Sequence, residues 1–103
     1  MSSFSLYTEN MPTIEQILSK LSKDWSPEPG RDNSVRASLT KGFIVISLFD
    51  VRVNGESKCN FVAETLASNN TLLDQVYFTT ADECIDYAEK LKTCFRYAEK
   101  LTA

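Results

Sequence analysis

The pair of residues best placed to do chemistry in this 103-residue chain is Asp50 and Cys59. A carboxylate facing a thiol can perturb both groups and support acid–base or covalent work. The pair meets only if two strands fold back on each other, and no other reactive side chain converges on it in sequence. An Asp/Cys pocket is therefore the enzymatic alternative, and a non-catalytic chain is the expectation. The chain contains no histidine, so Ser-His-Asp and Cys-His arrangements and the commonest zinc ligand are excluded within it. There is no CxxC, HExxH, GxGxxG or GxxxxGK pattern. No metal and no cofactor are expected.

The remaining reactive groups have cheaper readings. Cys59, Cys84 and Cys94 are an odd, widely spaced set, unlike a disulfide framework and consistent with reduced thiols in the cytoplasm. On one helix Cys84 and Cys94 stand about 15 Å apart along its axis, too far to pair. A bond from Cys59 to either one, or between subunits, stays open. Asp82, Glu83, Asp86 and Glu89 cluster at a helix start and Lys90, Lys92, Arg96 and Lys100 follow. That order suits the helix dipole without any ligand. Arg36, Lys41, Arg52 and Lys58 with Phe43 and Phe49 could form a stacking surface for nucleic acid. They do not share one face, and eleven basic against fourteen acidic residues give a formal charge of -3, so nucleic acid is the lesser alternative.

The elements that position these groups read as one α+β domain over residues 12–103. Residues 1–11 are expected to be a flexible tail or a short edge strand, with Phe4 and Leu6 alternating. Thr13 and Gln16 form a capping box for a helix bearing Ile14, Ile17, Leu18 and Leu21 on one face. Trp25 is placed on that same side. Ser26–Asn33, with two prolines and a glycine, is expected to be a loop.

Four strands follow. Val35–Thr40 alternates, Lys41-Gly42 reads as a turn, Phe43–Val53 is the longest strand, and Asn54-Gly55 is the strongest short hairpin signal. Lys58–Leu66 returns, and Gln75–Thr79 is the fourth strand. A two-residue loop at Asn54-Gly55 puts Leu48 opposite Phe61, Ile46 opposite Ala63 and Ile44 opposite Thr65. A two-residue loop at Lys41-Gly42 puts Leu39 opposite Ile44, Ala37 opposite Ile46 and Val35 opposite Leu48. Both turns bury the Ile44, Ile46, Leu48 face.

The last helix starts at a Thr80/Glu83 capping box, with Thr79/Asp82 as the competing cap. It runs a stripe of Ala81, Cys84, Ile85, Ala88, Leu91, Phe95, Ala98 and Leu101. The fold expected is an N-terminal helix, a four-stranded antiparallel meander and a long C-terminal helix, with both helices on one sheet face.

This fold leaves more apolar surface than one helix–sheet interface requires. The far sheet face carries Phe43, Val45, Phe49, Val51 and Leu66, and the last helix adds a second seam through Tyr87, Leu91, Cys94, Ala98 and Leu101. The first helix is the expected neighbour of that seam. Phe43, Val45, Phe49 and Leu66, with Tyr87 and Tyr97 as secondary anchors, are the expected protein contacts. The function these surfaces predict is a small interaction module: an adaptor, regulator, inhibitor or assembly factor, with a homodimer as one form. No run of about 20 apolar residues marks a membrane span. The N-terminus has no basic region leading into an apolar core, so no secretory signal is expected.

Overall fold

A computed structural model describes the backbone of residues 13–102 and, apart from residues 50–53, 56–59 and 100–102, their side chains. The expectations for Phe4, Leu6 and the rest of residues 1–11 lie outside the described residues. The element order is helix α1 (Ile14–Lys20), strands β1 (Trp25–Pro27), β2 (Ser34–Leu39), β3 (Gly42–Val53), β4 (Glu56–Ala67) and β5 (Leu72–Phe78), and helix α2 (Ala81–Thr102). The strands form one antiparallel sheet in the order β1-β2-β3-β4-β5. The sheet has five strands rather than four.

The added strand is β1. Trp25 does not continue α1. That helix stops at Lys20, where Leu21 turns extended and its N–H bonds the Leu18 carbonyl. Trp25 pairs with Ala37, Ser26 with Arg36 and Pro27 with Val35. Pro27 closes the strand because it has no N–H to give to a ladder. The Trp25 ring is buried in the core formed by Val35, Ala37, Ile44, Ile46, Phe61 and Ala63 of the sheet and Ile17, Cys84, Ile85 and Ala88 of the helices.

The capping boxes form as expected. Thr13 Oγ1 accepts from the Gln16 amide at 3.2 Å, and Gln16 Oε1 accepts from the Thr13 amide at 2.8 Å. At α2, Thr80 is the cap and not Thr79. Its hydroxyl accepts from the Glu83 amide at 3.4 Å and donates to the Glu83 carboxylate at 2.7 Å.

The β3–β4 hairpin has the predicted register throughout, including Leu48 opposite Phe61, Ile46 opposite Ala63 and Ile44 opposite Thr65. Asn54 (φ 54°) and Gly55 (φ 81°) both take the left-handed backbone that a type I′ turn demands. The β2–β3 register differs from the expected one by two residues. Leu39 pairs with Gly42, Ala37 with Ile44 and Val35 with Ile46. The turn is Thr40-Lys41, and Gly42 is a strand residue. A two-residue shift preserves every face, so the same core forms with different partners.

The reason lies in the close approach of β4. A Cβ on Gly42 would stand 2.1 Å from the Leu66 carbonyl oxygen. Glycine is needed here for space. Gly42→Ala is therefore expected to cost about 1–3 kcal/mol, as overpacking against backbone does. A lowered urea midpoint with an unchanged m-value will show it; an unshifted midpoint would mean that β3 and β4 do not approach this closely.

Strand β5 begins at Leu72, three residues earlier than the alternation suggests. A bulge between the Thr65–Asp74 and Leu66–Leu72 pairs hides the start. One extra residue, Leu73, breaks the period of two.

Candidate interaction surfaces

The expected contact residues fall at three different places. On the far sheet face, Val45 is 1% exposed and offers no surface. Phe43 is half-buried, and the Arg36 guanidinium lies over its ring at 4.6 Å. Arg36 is also held by Glu28 at 3.1 Å. The ring face that a nucleobase would stack on is thus occupied by a cation from the same chain. Phe49 is half-buried and meets Tyr77 edge-to-face, with centroids 5.9 Å apart. Asp50 and Cys59 stand opposite each other in register as expected, and their side chains lie outside the described residues.

Helices α1 and α2 contact each other, and of the seam residues Tyr87 and Leu91 pack on the core that Ile14, Ile17 and Leu18 of α1 share. Tyr87 faces β5, its ring 5.3 Å from that of Phe78 and its hydroxyl donating to Asp74 at 3.1 Å. Burial, then this bond to a carboxylate, holds the Tyr87 hydroxyl above its usual pKa. The α1 end of the molecule meets the acidic side of α2: Lys20 pairs with Asp82 at 3.2 Å, and the Ser22 amide donates to Glu89 at 2.7 Å. Tyr97 is 64% exposed. Cys84 and Cys94 are free thiols, one buried and one exposed.

The sequence places Lys92 among the basic residues that follow the acidic start of α2 and suit its dipole. It is 6% exposed. Its ammonium reaches Glu89 at 2.7 Å, Asp24 at 2.9 Å and the Ser22 hydroxyl at 2.6 Å. Glu89 also accepts from the Trp25 indole at 3.0 Å, and Arg96 reaches Asp24 at 3.0 Å. The group is saturated: three donors on one ammonium meet three acceptors. It ties the segment between α1 and β1 to α2.

Burial works against the charged forms of Lys92 and Glu89, and their mutual bonds outweigh it. Lys92 is held above its usual pKa and Glu89 below. Asp24 is lowered by its bonds to Lys92 and Arg96. Burial alone pushes the Cys84 thiol from 9.0 up to about 12.

The last turns of α2 make a different surface. Beyond Leu91 the apolar stripe leaves the core, and Phe95 and Ala98 line an open groove of about 800 Å³ with Leu39, Leu66 and Leu73. Polar contacts hold the helix over it. Glu99 accepts from the amides of Thr40 at 3.1 Å and Lys41 at 3.3 Å, and Arg96 donates to the Ser38 carbonyl at 3.0 Å. Neither turn residue has positive φ, so the turn lacks the primed geometry hairpins favour. The Glu99 carboxylate supplies the partners that its amides need.

Next to the groove runs the outer edge of β5. Leu73 and Tyr77 are each 61% exposed, and Leu72 is also exposed. Of the expected contacts, only Leu66 lines the groove and only Phe49 touches the edge residue Tyr77. Leu72, Leu73, Tyr77 and Phe95 escaped the sequence reading. The Leu-Leu pair after an Asn-rich turn was the available signal, and the bulge disguised it.

Comparison with protein families, with curated proteins and with solved structures finds no match to this chain. Among the described residues no His, Cys, Asp and Glu side chains group as a metal site, and no helix is long and apolar enough to cross a membrane.

The Lys92 cluster sets the pH dependence of stability. Asp24 and Glu89 bind protons less readily folded than unfolded, so their contribution is present at neutral pH and is lost as pH falls below about 4. Lys92 and Cys84 are raised, so stability falls at the other end, above about pH 9 as the unfolded thiol ionises and above about 10.5 as the lysine titrates. Trp25 is the sole tryptophan, and its emission is expected to shift as Glu89 protonates. Glu89→Gln should remove that acid step; an unchanged step would separate the indole from Glu89. Lys92→Met is expected to cost about 2–3 kcal/mol in urea unfolding at neutral pH, because two carboxylates lose a buried partner and retain some solvent.

Proposed function

We propose that the chain is a small non-catalytic interaction module, an adaptor, regulator, inhibitor or assembly factor, working in the cytoplasm through the β5 edge and the groove beside it. The carrying observation is the exposed set Leu72, Leu73, Tyr77 and Phe95, gathered along an edge strand and the helix above it. Edge strands invite pairing and are ordinarily blunted by proline, lysine or short length. β1, at the opposite edge, has three residues and ends in Pro27. β5 has seven, LLDQVYF, with neither proline nor lysine, and its bulge at Leu73 leaves residues 74–78 as a regular open edge. An apolar groove flanking an open edge suits an extended segment that supplies main-chain bonds and buries alternate side chains.

The expected contacts Phe43 and Val45 give way in this reading to Leu73, Tyr77 and Phe95, with Leu66 and Phe49 retained beside them. Tyr87 acts from below, fixing β5 through Asp74.

A photo-crosslinking residue placed at Leu73 in the native cell is expected to capture protein in high yield. The same residue at Arg31, in the exposed turn before β2, should capture little. Equal yields at both positions would reject the β5 edge as the working surface.

A further inference from the structure

The occupant of the β5 edge can be narrowed by asking which of its backbone groups are open. The type I′ turn at Asn54-Gly55 is closed by the Val53–Glu56 pair, which in such a hairpin exchanges both hydrogen bonds. Pairs alternate from there between bonded and non-bonded. Even-numbered residues of β4 therefore bond β3, and Phe61, Ala63 and Thr65 bond β5. Their partners are Phe78, Val76 and Asp74. Gln75 and Tyr77 consequently turn their N–H and C=O groups outward. The same alternation assigns Ile44, Ile46 and Leu48 to β2, and the Leu48 amide does bond the Asn33 carbonyl at 2.8 Å.

We propose that a second copy of this chain occupies the edge, β5 pairing antiparallel with the partner's β5 across a two-fold axis at Gln75. This rests on the reading of β5 as the working surface. Three observations select a second copy. The strand is self-complementary at its regular centre: with Gln75 on the axis Asp74, Gln75 and Val76 overlap their own copies, and the outward groups of Gln75 meet those of the partner's Gln75. Charge agrees, because Asp74 then stands opposite Val76, whereas the register one step toward the N-terminus sets Asp74 against Asp74, a like-charge pair. Leu73 is the bulged residue without a β4 partner, so the regular register runs over Asp74, Gln75 and Val76 and their copies, with Tyr77 and Leu73 at its two ends. The other edge of the sheet is closed by short length and Pro27, so the assembly ends at two copies rather than growing into a filament.

The test is sedimentation of the purified full chain across a wide concentration range. Wild type is expected to reach twice the 11.6 kDa chain mass. Gln75→Pro removes an outward N–H that β4 does not use, so the monomer should keep its fold. It is expected to weaken the dimer about tenfold or more, since main-chain bonds on both sides of the axis are lost. Tyr77→Lys places a charge at an exposed position and should act likewise, which keeps the test decisive if the proline variant does not fold. Circular dichroism and the urea midpoint check the fold of each. A wild type that stays monomeric at millimolar concentration overturns the proposal, as does a dimer that Tyr77→Lys leaves intact. A monomer whose Leu73 crosslinks to a different protein ends the dimer proposal and leaves the interaction surface standing. Failure to crosslink anything at Leu73 ends both.

Discussion

The register of the β3–β4 hairpin is the constraint on which the rest of the molecule depends. Two residues with positive φ, Asn54 and Gly55, set it. Once Val53 faces Glu56, every residue of two 12-residue strands has its partner, its face and its hydrogen-bonding side. Ile44, Ile46, Phe61 and Ala63 go to the helix-covered face together. The same alternation passes through β4 to β5 and leaves Gln75 and Tyr77 looking outward. A local turn thereby decides the polarity of an edge two strands away.

The helices are held by two kinds of contact along α2. Its first half is apolar, with Cys84, Ile85 and Ala88 buried on the sheet. Its second half is polar, with Lys92 and Arg96 on Asp24 and Glu99 on the Thr40-Lys41 turn. Removing a lysine from water is costly, and here the cost is offset because each ammonium proton has an acceptor. The result is a helix end that is anchored without filling the space beneath it. The groove lined by Leu39, Leu73 and Phe95 follows from that division.

Most of the core was legible because it is periodic. The capping boxes, the β3–β4 register and the α2 stripe as far as Leu91 all follow from short-range spacing. What escaped depends on partners distant in the chain. Lys92 reads as a surface lysine until Asp24, 68 residues away, is brought to it. Gly42 reads as a turn glycine because a turn and a close backbone approach ask for the same residue. Strand β1 has three residues and a proline, too little for any period. The surface was half legible for a similar reason. Facing direction identified Phe49 and Leu66 as outward, but not that Val45 beside them is buried or that Arg36 covers Phe43. The edge itself was hidden by the bulge at Leu73, which breaks alternation where the strand is most exposed.

The central claim is that the outward backbone of β5 is a pairing edge, and amide hydrogen exchange reads that backbone directly. Asp74 and Val76 bond β4, so their amides should be protected at every protein concentration. Gln75 and Tyr77 should exchange quickly in dilute protein and slow as concentration rises. Exchange at Gln75 and Tyr77 that stays equally fast at all concentrations would contradict the account.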